Sequence, residues 1–138
     1  KLINREVEFS EEFYDKIIAD IYEIIRLTKI TPSRIKLFVS DSWKYDIFRS
    51  LKQETSRDLN YLIKKYMDKE HSKEIVSIIN SVVKNPKRIP EIILSQEKEY
   101  QIINDNKSLI EKEFNASVEI IKGNNEKAYP GKIAIVLE

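Results

Sequence analysis

The chain has no cysteine, which excludes disulfides, a thiolate nucleophile and a Cys-built zinc site. It has two glycines, Gly123 and Gly131, too few for a Gly-rich phosphate loop. It has one histidine, His71, beside Glu70 just ahead of a predicted helix start. A general base or metal ligand there needs partners, and the sequence offers no second catalytic group, no metal-ligand spacing and no nucleophile motif. No catalytic and no metal-binding residue is therefore assigned, and the plainer reading of His71 is an exposed residue at a helix start. Apolar runs fall short of the roughly 18 to 20 residues that span a bilayer, and no signal-peptide pattern opens the chain. An intracellular, cytoplasmic protein without a membrane partner is expected. The first residue is Lys1 rather than Met, which points to a piece of a longer protein.

What the chain does have is charge, and the charge is segregated. Of its 138 residues 34% are charged and 41% hydrophobic, the balance of one globular domain that can bury a core. Residues 1–23 carry three bases and seven acids, residues 24–90 fifteen and seven, and residues 91–138 six and nine. The net charge of +1 therefore hides a middle segment at +8, flanked by −4 and −3. Two stretches, 24–40 and 75–90, hold bases and no acid at all. A local excess of this kind attracts polyanions. Its alternative is a Lys-rich, solvated face with no partner.

Hydrophobic spacing predicts the elements. Tyr14, Ile17, Ile18, Ile21, Ile24 and Ile25 mark a helix from Ser10 to about Thr28, with Ser10 as N-cap and Glu11 and Glu12 at the positive end of its dipole. Pro32 stops it. "RIKLFV" (34–39) alternates like a strand. "SDS" offers a cap for a second helix with Trp43, Ile47, Phe48 and Leu51 on one face. A third helix covers about 58–68 and a fourth Ser72 to Lys84, ended by "NPKRIP". Between 91 and 114, Ile103, Ile110 and Phe114 share a helical face, with "NDN" (104–106) able to break and recap it. Strands follow at 117–121 and 132–137, separated by "KGNNEKAYPG". Helix, strand, three or four helices, strand, strand is an α+β order: a small sheet of about three strands, covered by helices.

Binding is better supported than catalysis. Nucleic-acid contact needs Lys/Arg for phosphates and planar or main-chain groups for unpaired bases. Trp43, Phe48 and Tyr66 fall on apolar helix faces and read as core, which leaves Tyr129, in the loop before the last strand, as the more exposed aromatic. A protein-docking domain with an incidental basic bias is the competing reading.

Several segments, taken in order, resemble the carboxyl-terminal domain of leucyl-tRNA synthetases of the archaeal and eukaryotic cytosolic type. "DIYEIIRLTKITPSRIKLFVS" is similar to that family's helix, Lys-Ile-x-Pro turn and basic strand. "SWKYDIFRSL" resembles its Trp-containing helix, "NPKRIPEIILSQEKEYQIINDNKSLIEKEF" its later helices, and "YPGKIAIVLE" its tail. The resemblance covers about residues 15–138. It implies that residues 1–30 form a helix continuing from an upstream anticodon-binding bundle, and that residues 31–138 form a tRNA-binding α+β domain. It implies a partner, tRNA(Leu), gripped by its long variable arm, with no DNA partner, and no cofactor in this part of the chain. ATP and Mg belong to the parent enzyme's catalytic domain, whose motifs are absent here. Carried over by position, Ile135 and Glu138 are expected to contact bases, with Val136 and Leu137 between them. In the penultimate positions the family often has an aromatic or Ile, where this chain has Val-Leu-Glu. Arg34, Lys36, Lys44, Lys84, Lys87 and Arg88 are expected on the RNA backbone, because an acidic tail cannot itself attract phosphates.

Overall fold

The computed structural model describes residues 2–138, with side chains from Arg5 onward. Lys1, where the expected N-terminal helix begins, lies outside the described residues. The elements are α1 (Leu2–Thr28), β1 (Arg34–Val39), α2 (Ser42–Gln53), α3 (Leu59–Tyr66), α4 (Ser72–Lys84), a 3-10 turn (Pro86–Arg88), α5 (Gln96–Asp105), α6 (Lys107–Phe114), β2 (Ser117–Lys122) and β3 (Ala134–Leu137). The architecture is α+β, as the spacing predicts.

One start differs. Helix α1 runs on N-terminally past Ser10, whose hydroxyl donates to the Glu6 carbonyl instead of capping. A serine inside a helix can bond back one turn in this way, so the residue type alone does not fix the boundary. The "NDN" break is real: Asn106 separates α5 from α6, and its main-chain N–H donates to Ile103 at 3.1 Å. Asp41 precedes α2 without a side-chain cap, and its carboxylate instead accepts from the Asn124 N–H at 3.3 Å.

Strand β1 is the middle of a three-stranded sheet of order β2-β1-β3. It pairs in parallel with β2 (Arg34 opposite Ser117, Leu37 opposite Ile120) and antiparallel with β3 (Lys36 opposite Val136, Leu37 opposite Ile135). The period-2 alternation sends Ile35, Leu37 and Val39 to one face, where none has any exposure. That face packs on Phe13, Ile17 and Ile21 of α1 and on Ile103 and Ile110 of α5 and α6. A second core joins Ile47, Phe48 and Leu51 of α2 to Leu62 of α3 and Ile75, Ile79 and Val82 of α4. Trp43 and Tyr66 pack against it, as their helix faces predict. Helix α2 serves both cores, because Tyr45 turns to the first.

The last strand is set by a turn. Tyr129 and Lys132 exchange main-chain hydrogen bonds of 3.1 and 2.7 Å around Pro130-Gly131. Proline followed by a residue at positive φ is the type II arrangement, and Gly131 sits at φ +84°. A Cβ there would stand 2.7 Å from the Pro90 ring. The Gly131 N–H donates at 2.8 Å to the carboxylate of Glu99, which also accepts from the Tyr45 hydroxyl. Glu99 has no solvent exposure. Burial pushes its carboxyl up to about 7, against the pull of the two hydrogen bonds. The folded protein therefore holds this proton more tightly than the unfolded chain, whose carboxyl titrates near 4.5. Stability should be fullest below that value and fall as pH rises to about 7, by about 3 kcal/mol. Urea titrations between pH 5 and 8 check this. The decline should vanish in Glu99→Gln, whose amide keeps both contacts without a charge; an equal decline in that variant would rule Glu99 out as its source.

Candidate nucleic-acid interface

The sheet face away from α1 is open, and alternation puts Arg34, Lys36 and Phe38 of β1 there with Glu119 of β2 and Val136 of β3. Arg34 and Glu138 exchange main-chain bonds of 3.1 and 2.8 Å, which makes them a hydrogen-bonded antiparallel pair. The Glu138 side chain lies 3.2 Å from the Lys36 ammonium and 3.8 Å from the Arg34 guanidinium. Three of the expected contact residues are thus brought together. The carboxylate expected to read bases sits on two cations expected to hold phosphates.

The alternation also fixes what the edge of the sheet presents. If Arg34/Glu138 is a bonded pair, so are Lys36/Val136 and Phe38/Ala134, and the N–H and C=O groups of Ile135 and Leu137 point away from β1. Strand β3 is an edge strand, so those groups have no sheet partner within the described residues. The Ile135 side chain is half-buried and packs against the first core. Val136 is the exposed apolar side chain of the strand. Beside this strand runs a groove of about 630 Å³, lined by Ile135 and Val136, by Asp20 and Glu23 of α1, and by Asn124 and Asn125.

Lys84, Lys87 and Arg88 form a second cationic group, exposed together at the end of α4 and on the 3-10 turn. Arg88 donates at 3.1 Å to the hydroxyl of Tyr129, and the Tyr129 ring stacks on Phe48 with centroids 5.9 Å apart. Arg34 and Lys36 thus stand beside Glu138 and Val136, while Arg88 contacts Tyr129 in the turn before the strand.

Lys44 belongs to neither group, which corrects the expectation that it meets RNA. Its side chain is 2% exposed. The ammonium donates to the carbonyls of Glu126 (3.1 Å) and Ala128 (2.9 Å) and lies 3.1 Å from Glu74 Oε2. The two carbonyl contacts are hydrogen bonds, whereas the Glu74 contact is an ion pair in which Oε2 accepts no hydrogen bond. Lys44 holds the loop before the Pro130-Gly131 turn against α4, a role that depends on residues 30 to 84 positions away and that a local charge count cannot reveal. Sequence reasoning also missed Glu99, which reads as ordinary helix surface until the turn folds onto it.

His71 stacks on Trp43, with ring centroids 4.0 Å apart and planes 8° from parallel. Among the described residues, no group of three or more His, Asp or Glu gathers to hold a metal, and no helix is long and apolar enough to cross a membrane.

No family model matches the chain. It is 32% identical over 148 residues to the leucine–tRNA ligase of Methanococcus maripaludis and 33% identical over 148 residues to that of Methanocaldococcus jannaschii, with all of this chain covered in each case. Against that of Methanococcoides burtonii it is 29% identical over 158 residues. The chain is homologous to part of the archaeal leucine–tRNA ligases. It spans about 15% of the length of these relatives.

The buried and the exposed cations separate by experiment. Lys44→Ala, which strands Glu74 and two carbonyls, should cost about 3 to 5 kcal/mol of stability. Lys87→Gln should cost less than about 0.5 kcal/mol. Urea melts of the two variants make the comparison, and equal midpoints would show that Lys44 is not the strut described.

Proposed function

We propose that this chain is the tRNA-gripping, carboxyl-terminal part of a leucyl-tRNA synthetase. In this reading it holds the long variable arm of tRNA(Leu), supports leucylation by the cytoplasmic parent enzyme, and has no catalytic site of its own. The observation that carries the reading is the last strand: Arg34 and Lys36 beside Glu138, Arg88 on Tyr129 in the turn before it, and main-chain groups of Ile135 and Leu137 with no sheet partner within the described residues. Phosphate contacts position an RNA and base-edge contacts read it. Arg34, Lys36, Lys84, Lys87 and Arg88 supply the first. The main chain of Ile135 and the carboxylate of Glu138 supply the second, since peptide groups and carboxylates bond the edges of unpaired bases. The homology to leucine–tRNA ligases supports the identity of the RNA.

A docking reading has one specific observation in its favour. Leu27 and Ile30, at the end of α1, are 66% and 41% exposed. They suit a contact with another part of a longer chain, at the opposite end of α1 from the one an upstream bundle would continue into.

Two measurements test the proposal. In the full-length enzyme, removing residues 31–138 should sharply reduce charging of tRNA(Leu), and shortening the variable arm should reduce it similarly in the intact enzyme. Unchanged charging in both cases would sink the idea. Binding should also weaken steeply with salt, and neutralising any one of Lys84, Lys87 or Arg88 should lower the log–log slope by about 0.7 to 0.9. A shallow slope, unmoved by those changes, is the signature of an apolar docking face.

A further inference from the structure

Between α4 and the loop 126–129 lies a cavity of about 230 Å³ that the edge of β3 does not share. Small-molecule sites run to about 300–1,000 Å³, so this one suits a single ring system rather than a whole cofactor. Its buried lining is apolar: Phe48 is 2% exposed and Val82 1%. Ser77 and Ser81, one turn apart on α4, add hydroxyls to the wall, and Tyr129 supplies an aromatic one. Of its lining residues, Arg88, Lys127, Glu126 and Ser77 are exposed, which puts two cations against one carboxylate at the opening.

We infer that this cavity takes one unpaired nucleobase together with its phosphate. The inference rests on the RNA-binding reading and adds to it a site separate from the last strand. Flat apolar walls with a few hydroxyls are what a splayed-out base requires, and aromatic rings or guanidinium planes are what it stacks on. Tyr129 is held in place by two contacts: its ring lies on Phe48, and its hydroxyl accepts from Arg88. The Arg88 guanidinium stands 5.7 Å from the ring centroid, beside the opening, where it and Lys127 meet the phosphate of the inserted nucleotide. Lys84 and Lys87, exposed on the same corner, meet the phosphates on either side. Two sources share this chemistry: an unpaired nucleotide within RNA and a free nucleotide. The run of three exposed cations leading to the cavity favours RNA, because a lone nucleotide uses only one of them.

The test uses the full-length protein and tRNA(Leu) transcripts with 2-aminopurine at each unpaired position of the variable arm in turn. One position should be quenched on binding. Tyr129→Leu keeps apolar volume against Phe48 but removes the ring; it should abolish that quenching and weaken binding about five- to a hundred-fold. Tyr129→Phe, which keeps the ring, should retain both. Should Tyr129→Leu melt early, the exposed Arg88→Gln carries the test, with a salt slope lower by about 0.7 to 0.9 and the same position losing quenching. AMP should fail to compete with the transcript at micromolar concentration, and competition there would overturn RNA as the source. Unchanged quenching and affinity in a well-folded Tyr129→Leu would overturn the site. If a Lys84→Gln/Lys87→Gln double variant still loses affinity in that case, only the cavity inference fails. If it too binds normally, the Lys84–Arg88 corner is not an RNA contact; the RNA-binding reading itself fails when a variant lacking residues 31–138 charges tRNA(Leu) normally.

Discussion

The two oxygens of the Glu99 carboxylate accept from the Tyr45 hydroxyl and from the Gly131 N–H, deep enough that the side chain has no solvent exposure. Three separate parts of the chain meet there: α5, α2 and the turn before the last strand. An isolated buried carboxylate costs several kcal/mol, which its two hydrogen bonds partly offset. Here they define the position of Pro130-Gly131. That turn fixes where β3 begins, β3 registers on β1, and the register places Glu138 beside Arg34 and Lys36. A shift of β3 by a single residue would send Ile135 to the open face and Val136 to the core.

Lys44 is the cationic counterpart on the other side of the same loop. Glu126 and Ala128 bring their carbonyls to its ammonium, and Ala128 is fully buried two residues before the turn. The loop 123–128 is thus clamped from within by a lysine and the turn by a glutamate, each on a helix whose apolar residues fill a core. This explains how a segment with few apolar side chains of its own can hold both Tyr129 and β3 in defined places.

The elements were legible in the sequence where packing enforces a period. Ile35, Leu37 and Val39 alternate because one face of β1 is wholly buried, and α4 ends at the predicted Lys84 because its apolar stripe meets a proline two residues on. Local cues were weaker where a side chain had alternatives. Ser10 and Asp41 are good caps by type, yet one bonds backward within α1 and the other holds Asn124. The candidate site was legible as charge and illegible as geometry. A count of bases finds Arg34, Lys36 and Lys44 alike. Only the fold shows that one is buried against residues 30 to 84 positions distant, and that the other two stand beside Glu138.

That pairing bears on how an anion meets the open face. Exposed ion pairs are worth about 0 to 1 kcal/mol, and salt screens them further. Arg34 and Glu138 are both about half exposed, and their 3.8 Å separation is at the loose end of an ion pair. Lys36 is closer, at 3.2 Å, and 28% exposed, so the carboxylate holds Lys36 more firmly than Arg34, and it can discriminate. A phosphate that merely replaces Glu138 exchanges one weak pair for another and gains little. A ligand that brings a phosphate to Arg34 and Lys36 and also a hydrogen-bond donor to the released carboxylate gains on both counts. An unpaired nucleotide whose base carries an amino or imino group has both, and a bare polyanion has only the first. Under the proposed RNA-binding role, the acidic residue in a basic setting would act as a filter for bases, with the fixed strand holding it in place.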